Sequence, residues 1–229
     1  MDVLLKITLE LLNGFSSSLI IFVFTLVFAI PFGLVFTFGS MTKFKPIKFI
    51  TRIIVGILRG TPLMLQIFII FYVPGLLFNF QWPEMHTGWA WFDTTVSTRL
   101  IAALVAFIIN YAAYFSEIYR GGIQSIPKGQ YESGQVLGMT KRQIFMKVVL
   151  LQVIKSIVPS MSNEVVTLVK DTSLANVIGV AELMYHAQLQ LLNGLIWPIF
   201  YAGLFYLIFN GVVLFILKKI EKKLDYFEV

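Results

Sequence analysis

Long uncharged runs alternate along the chain with short stretches in which basic and small residues gather. A helix crossing about 30 Å of hydrocarbon needs roughly 20 mostly apolar residues. Five runs answer to that length: residues 15–38, 63–80, 100–118, 148–170 and 195–217. The first and last hold no charge, whereas the fourth carries Lys155, Pro159, Asn163 and Glu164. Helices are the expected form, because lipid offers no partner to an open backbone group. Pro46 to Leu58 mixes basic and apolar positions at helical spacing, which predicts a helix lying on the membrane surface ahead of the second run. Lys218 to Leu224 reads as a basic, solvated continuation of the last run. The pattern predicts an all-α integral membrane protein of about five transmembrane helices, with residues 1–229 as a single transmembrane domain.

Composition agrees. The 229 residues are 58% hydrophobic and 13% charged, against about half and about a quarter in soluble domains, and so short a chain has no core large enough to hide the excess. Charge placement then orients the spans. Fifteen of the eighteen Lys and Arg residues fall after the first run, after the third run and into the start of the fourth, or in the C-terminal tail; Lys6, Arg99 and Lys170 remain. This asymmetry puts the N-terminus outside and the C-terminus in the cytoplasm of a multi-pass cell-membrane protein. The 81–95 stretch, with Trp82, Trp89 and Trp91, then lies outside as an aromatic interface anchor. The first residues lack a basic segment and a small-residue cleavage signal, so they are not read as a cleaved signal peptide. With no cysteine, disulfides and thiolate chemistry are excluded.

The connection at 121–147 is too long for a tight turn. Pro127 is placed to open a short helix and Gly138 to close it. Between them sit Glu132 and the small residues Ser133 and Gly134, with Lys141, Arg142 and Lys147 as a basic rim. Small side chains let another protein approach closely, so the segment reads as a docking element or as an ordinary structured loop. It resembles the "EAA" coupling loop of ABC importer permeases, with Glu132, Ser133, Gly134 and Gly138 at the positions that dock on the ATPase. The wider likeness is to the polar amino acid uptake branch (histidine, arginine, glutamine and cystine types). It rests on Arg59-Gly60-Thr61-Pro62-Leu63, Tyr114-Phe115-Ser116-Glu117-Ile118-Tyr119-Arg120-Gly121-Gly122-Ile123, Asn163-Glu164-Val165-Val166-Thr167-Leu168-Val169-Lys170-Asp171-Thr172-Ser173-Leu174-Ala175 and Ile178-Gly179-Val180-Ala181-Glu182-Leu183. Two departures stand out: Ser133 and Gly134 replace two alanines, and Leu150-Leu151 replaces the Leu-Pro that usually ends the loop. The resemblance implies a separate ABC ATPase that binds the ATP, an external amino-acid-binding protein, and a second permease, either a copy or a sister subunit.

No phosphate-binding G-x-x-x-x-G-K-[ST] loop is present, and no acid/base or nucleophile constellation is found around the isolated His86 and His186. The chain is therefore read as non-enzymatic, with no catalytic residues, no metal, no cofactor and no nucleic-acid partner. Its candidate chemistry lies in the fourth run, since ionisable groups at membrane depth mark pathways. Glu164 and Asp171 are seven apart, on nearly one helical face, with Thr167 and Leu168 between them. Asp171, Thr172 and Ser173 are consecutive helix-capping residue types, predicting a break and a restart near Leu174 whose free N–H groups suit a carboxylate. The substrate site expected from this is Asn163, Glu164, Thr167, Lys170, Asp171, Thr172 and Ser173, with Asn110 from the third run. Backbone N–H groups and Lys170 would take an amino acid's carboxylate, and Glu164 and Asp171 its amino group or a cationic side chain. The competing readings are internal pairing of Lys170 with either acid, and for Asn110 a helix–helix hydrogen bond. For function, the rivals are a proton- or ion-coupled secondary transporter using Glu164 and Asp171, and an assembly protein without transport.

Overall fold

The computed structural model describes residues 2–83 and 97–224. The elements are α1 (Asp2–Met41), α2 (Lys45–Gly60), α3 (Leu63–Phe78), α4 (Thr98–Ser125), α5 (Lys128–Val136), α6 (Lys141–Ile144), α7 (Leu150–Asp171), α8 (Leu183–Leu192) and α9 (Trp197–Leu224). Among the described residues, four helical stretches are long and apolar enough to cross a membrane, and α2 with α3 makes a bent fifth. Of the expected tryptophan anchor, Trp89 and Trp91 lie outside the described residues, as does His86; the Trp82 indole donates to the Phe71 carbonyl at 3.3 Å.

The apolar runs locate the helices but understate most of them. α1 starts at Asp2 rather than at residue 15 because its first turns have a partner: Ile7 and Leu11 are buried with Leu183 and Ala187 of α8, and Glu10 accepts a hydrogen bond from Gln190 at 2.6 Å. The long contact of α1 with α4 builds the core. Gly33 allows it, since a Cβ there would meet the Phe115 side chain at 2.9 Å, and the Thr37 hydroxyl donates across to the Ser116 carbonyl at 3.1 Å. α4 runs on to Ser125, well past residue 118.

The second span is the short one. α3 has 16 residues, about 24 Å, and ends at Asn79, whose φ of 51° is left-handed. It meets α2 at a bend of 110°. A rod of about 24 Å is shorter than about 30 Å of hydrocarbon, and carbonyls left open near lipid need partners. Side chains supply them. Gln66 Nε2 donates to the Leu58 carbonyl at 2.7 Å and to that of Thr61 at 3.2 Å. Asn110 Nδ2 donates to Leu58 at 3.1 Å and to Gln66 Oε1 at 3.0 Å. The Thr61 hydroxyl donates to Ile57 at 2.8 Å. α2 itself is strongly two-faced: Val55 is buried while Phe49, Ile50 and Ile57 are exposed, the arrangement expected of a surface helix.

In the basic loop, Pro127 is the N-cap of α5 rather than its first residue, and Gly138 closes the turn with φ 72°. Thr140 and Gln143 form a capping box for α6. Five π-helical residues, Phe145–Val149, then lead straight into α7. Leu150-Leu151, where the resembling family has Leu-Pro, directly follows that widened turn as the first residues of α7, so loop and span join without a break.

One local expectation fails. The chain does not break and restart at Asp171–Leu174. Instead α7 tightens into a 3-10 helix over Thr172–Ile178. Thr172 and Ser173 do not cap N–H groups; their hydroxyls donate backwards, to the carbonyls of Val169 and Lys170, both at 2.8 Å. The N–H of Thr172 is used within the helix, so no cradle of free donors opens there.

Candidate functional site

α4, α7 and the elbow enclose a cavity of about 400 Å³. α7 contributes Glu164, Thr167 and Asp171; α4 contributes Asn110, Tyr111 and Tyr114. Thr61, Pro62 and Leu63 close it at the elbow, and Leu174 of the 3-10 turn covers the far end. The spacing of seven does bring the two carboxylates to one space. Asp171 is fixed: the Tyr111 hydroxyl donates to its Oδ2 at 2.7 Å, and Tyr111 is held in turn by Phe107, stacked at 6.4 Å, and by Phe115. Glu164 is half-buried. No lysine or arginine lines the cavity, so its walls favour a positive guest.

The remaining expected residues fall elsewhere. Asn163 and Lys170 are exposed on another flank of α7, Leu168 is buried in the core, and Thr172 is fully buried. Ser173 is half-buried and does not line the cavity. Asn110 reaches the wall, but its amide hydrogens are committed to the elbow. Tyr111, Tyr114 and the elbow were not singled out from the sequence as site residues; the tyrosines one turn apart beside Asn110 were the available signal.

Further along the same two helices, towards the basic loop, a second cavity is lined by Arg59, Glu117, Ser156 and Ser160. Arg120 grips Glu117 with two nitrogens. Arg59 lies 3.7 Å from Glu117 and stacks over the Tyr114 ring at 5.3 Å. Gly122 lets α4 and α7 close together here, since a Cβ would fall 2.2 Å from Ile157. This second cavity thus carries an arginine-paired carboxylate, where the first carries two carboxylates and no arginine.

In the loop, Glu132 and Ser133 are exposed, but Gly134 is buried, with a would-be Cβ 2.6 Å from Ile144. Its smallness serves the packing of α5 on α6 rather than an outward surface. The exposed apolar surface comes instead from Val136 (87%) and Leu137 (78%), beside exposed Gly138.

At the other end of the molecule, Glu182 caps α8 while wholly buried. It accepts from the N–H groups of Met184 and Tyr185 at 2.8 and 2.7 Å and from the Tyr206 hydroxyl at 3.0 Å. Burial pushes its carboxyl up to about 7, against the pull of those hydrogen bonds. Burial also holds the neighbouring His186 below the usual histidine range, opposed by Glu10.

Known proteins resemble this chain in sequence and fold. Residues 29–226 match the family described as "Binding-protein-dependent transport system inner membrane component". The chain is 35% identical to the arginine ABC transporter permease protein ArtM of Escherichia coli (strain K12), over 96% of each chain. It is 33% identical to the arginine transport system permease protein ArtQ of Bacillus subtilis, over 93% of this chain and 92% of that one. The L-cystine transport system permease protein TcyB of the same organism is 35% identical over 77% of this chain and 68% of its own length. In three dimensions, a crystal structure of an amino acid ABC transporter with histidines superposes with a TM-score of 0.83 at 26% identity, covering 96% of this chain and 97% of that one.

Proposed function

Because the chain belongs to the family of binding-protein-dependent transport system inner membrane components, we propose that it is the membrane subunit through which an ATP-driven importer passes a polar, cationic amino acid. The observation that carries this is a cavity within the spanning helices holding Glu164 and Asp171 and lined by no base. One carboxylate takes the α-amino group and the other a basic side chain; Asp171 is positioned for this by Tyr111. The names of the arginine permeases ArtM and ArtQ point the same way. Lys170, Thr172 and Ser173 lie off the cavity, so the proposal leaves them out of carboxylate binding. Thr167 stays on the cavity wall beside the two carboxylates, whereas Asn163 sits on the exposed flank of α7, which suits contact with a second permease, either a copy or a sister.

The basic end faces the cytoplasm by the distribution of Lys and Arg. There α5 docks on an ABC ATPase through Glu132, Ser133 and the exposed Val136–Leu137 pair, and ATP is bound by that partner. An external binding protein delivers the amino acid to the opposite end. Family membership lends no support to a proton-coupled secondary carrier.

The test is a thermal-shift panel on the permease purified with its ATPase, with each amino acid added in turn. A ligand at 100 times its Kd stabilises the folded state by about 2.7 kcal/mol. Arginine or lysine is expected to raise the melting temperature, and Asp171→Asn and Glu164→Gln to abolish the rise. No shift with any amino acid would overturn the binding role of this cavity and leave selectivity to the external protein.

A further inference from the structure

An amino acid is a zwitterion, and the carboxylate cavity answers only its positive part. Among the described residues no lysine or arginine lines that cavity, and a carboxylate taken out of water needs a partner. The three elements that wall this cavity also wall the second one. α4 contributes Tyr114 to the first and Ile118 to the second, α7 contributes Glu164 and Ser160, and the chain at the elbow contributes Thr61 and Arg59. On each helix the two residues are one turn apart, about 6 Å. Glu164 is therefore the acid on the Arg59 side, and Asp171 lies about 10 Å farther along α7. Tyr114 ties Arg59 to the first cavity. Its ring lines that cavity, the Arg59 guanidinium lies over the ring at 5.3 Å, and its hydroxyl donates to the Arg59 carbonyl at 3.4 Å.

Glu117 does not tie Arg59 down. That carboxylate already accepts from Arg120 Nε at 3.0 Å and from Arg120 Nη2, whereas Arg59 stays 3.7 Å away, beyond hydrogen-bond reach. Arg52, Arg59 and Arg120 all line the pocket around this one carboxylate, and the Arg59 side chain is 42% exposed. A guanidinium that stacks its face on a ring keeps its N–H edge for a planar anion. On the reading of the carboxylate cavity as the substrate site, we propose that Arg59 binds the α-carboxylate of the transported amino acid. The α-amino and α-carboxylate groups share one carbon, so they fall side by side, the amino group at Glu164 and the carboxylate at Arg59. The cationic side chain then points along α7 to Asp171. This order selects an amino acid over a diamine that carries the same two cations.

The test uses the permease–ATPase complex in mild detergent, with the melting temperature followed against arginine and against agmatine, which is arginine without its carboxylate. Agmatine keeps both cations for Glu164 and Asp171. Arginine should produce the same shift at a concentration roughly tenfold lower or less, as expected for one charge-assisted pair. Arg59→Gln should bring arginine down to the level of agmatine while the agmatine response persists, which shows that the acidic cavity is intact. Arg59→Lys should restore part of the preference. Arg52→Gln, on the same helix but not on the second cavity, should leave the preference unchanged. Equal responses of the unmodified complex to the two ligands would overturn this proposal alone, and that comparison needs no variant to fold. Full preference for arginine in Arg59→Gln would overturn it too, since the carboxylate would then be held elsewhere. No response to either ligand would overturn it together with the cavity reading on which it rests.

Discussion

Glu182 should make the stability of this protein fall as the pH rises. In the folded state its carboxyl titrates at about 7 because it is buried, against an ordinary value of 4.5. The folded chain therefore binds this proton more tightly than the unfolded chain does. The associated stability is fully present below about pH 4.5 and is lost as pH climbs through 7. The gap is worth on the order of 3 kcal/mol, of which about 2 kcal/mol falls between pH 5.5 and 8.5. Glu182→Gln is a neutral replacement of the same shape. It keeps an acceptor for Tyr206 or for one of the two N–H groups at the start of α8 and gives up another, a loss of about 1 kcal/mol. The variant should then lack most of the decline over that pH range and exceed the parent by about 2 kcal/mol at pH 8.5. Reversible unfolding in mixed micelles, followed from pH 5.5 to 8.5, measures both slopes. A parent protein that gains stability towards pH 8.5, or a variant with the same slope as the parent, would refute the reasoning.

Asn110→Leu removes both hydrogen bonds that α4 gives to the elbow and should cost about 1–3 kcal/mol in the same unfolding assay. Gly122→Ala should destabilise by a similar amount because of the contact with Ile157 Cγ2, and adding Ile157→Ala, which removes that methyl, should recover part of the loss. Val136→Asp with Leu137→Asp should lower ATPase co-purification at least tenfold while the chain still inserts, as checked by membrane fractionation. Glu132→Arg should abolish uptake in the same way; undiminished uptake would sink its docking role.

The membrane class and the approximate positions of the helices could be read from the apolar runs because hydrocarbon thickness imposes a length. Helix ends could not, because packing between distant segments decides them: α1 is helical from Asp2 only because α8, almost 180 residues later, covers Ile7 and Leu11. The shared face of Glu164 and Asp171 followed from helical period alone. Thr172 and Ser173 misled because a short hydroxyl caps an N–H or donates back to a carbonyl with equal ease, and residue type does not say which. Gly134 had the same ambiguity: smallness reads alike whether the close neighbour is another protein or, as here, Ile144. The helix–helix hydrogen bond weighed for Asn110 is found, but its partner could not be named, since nothing local links a glutamine in one run to an asparagine 44 positions on.

That elbow also imposes an order on synthesis. The Leu58 carbonyl leaves the ribosome eight residues before Gln66 and 52 before Asn110. At about 5–20 residues per second, the glutamine follows within roughly two seconds and the asparagine only after about three to ten. Gln66 is thus the first seal on that carbonyl, available before α4 exists and kept in the finished fold. Asn110 then converts a self-contained hairpin into a joint that the third long helix holds shut.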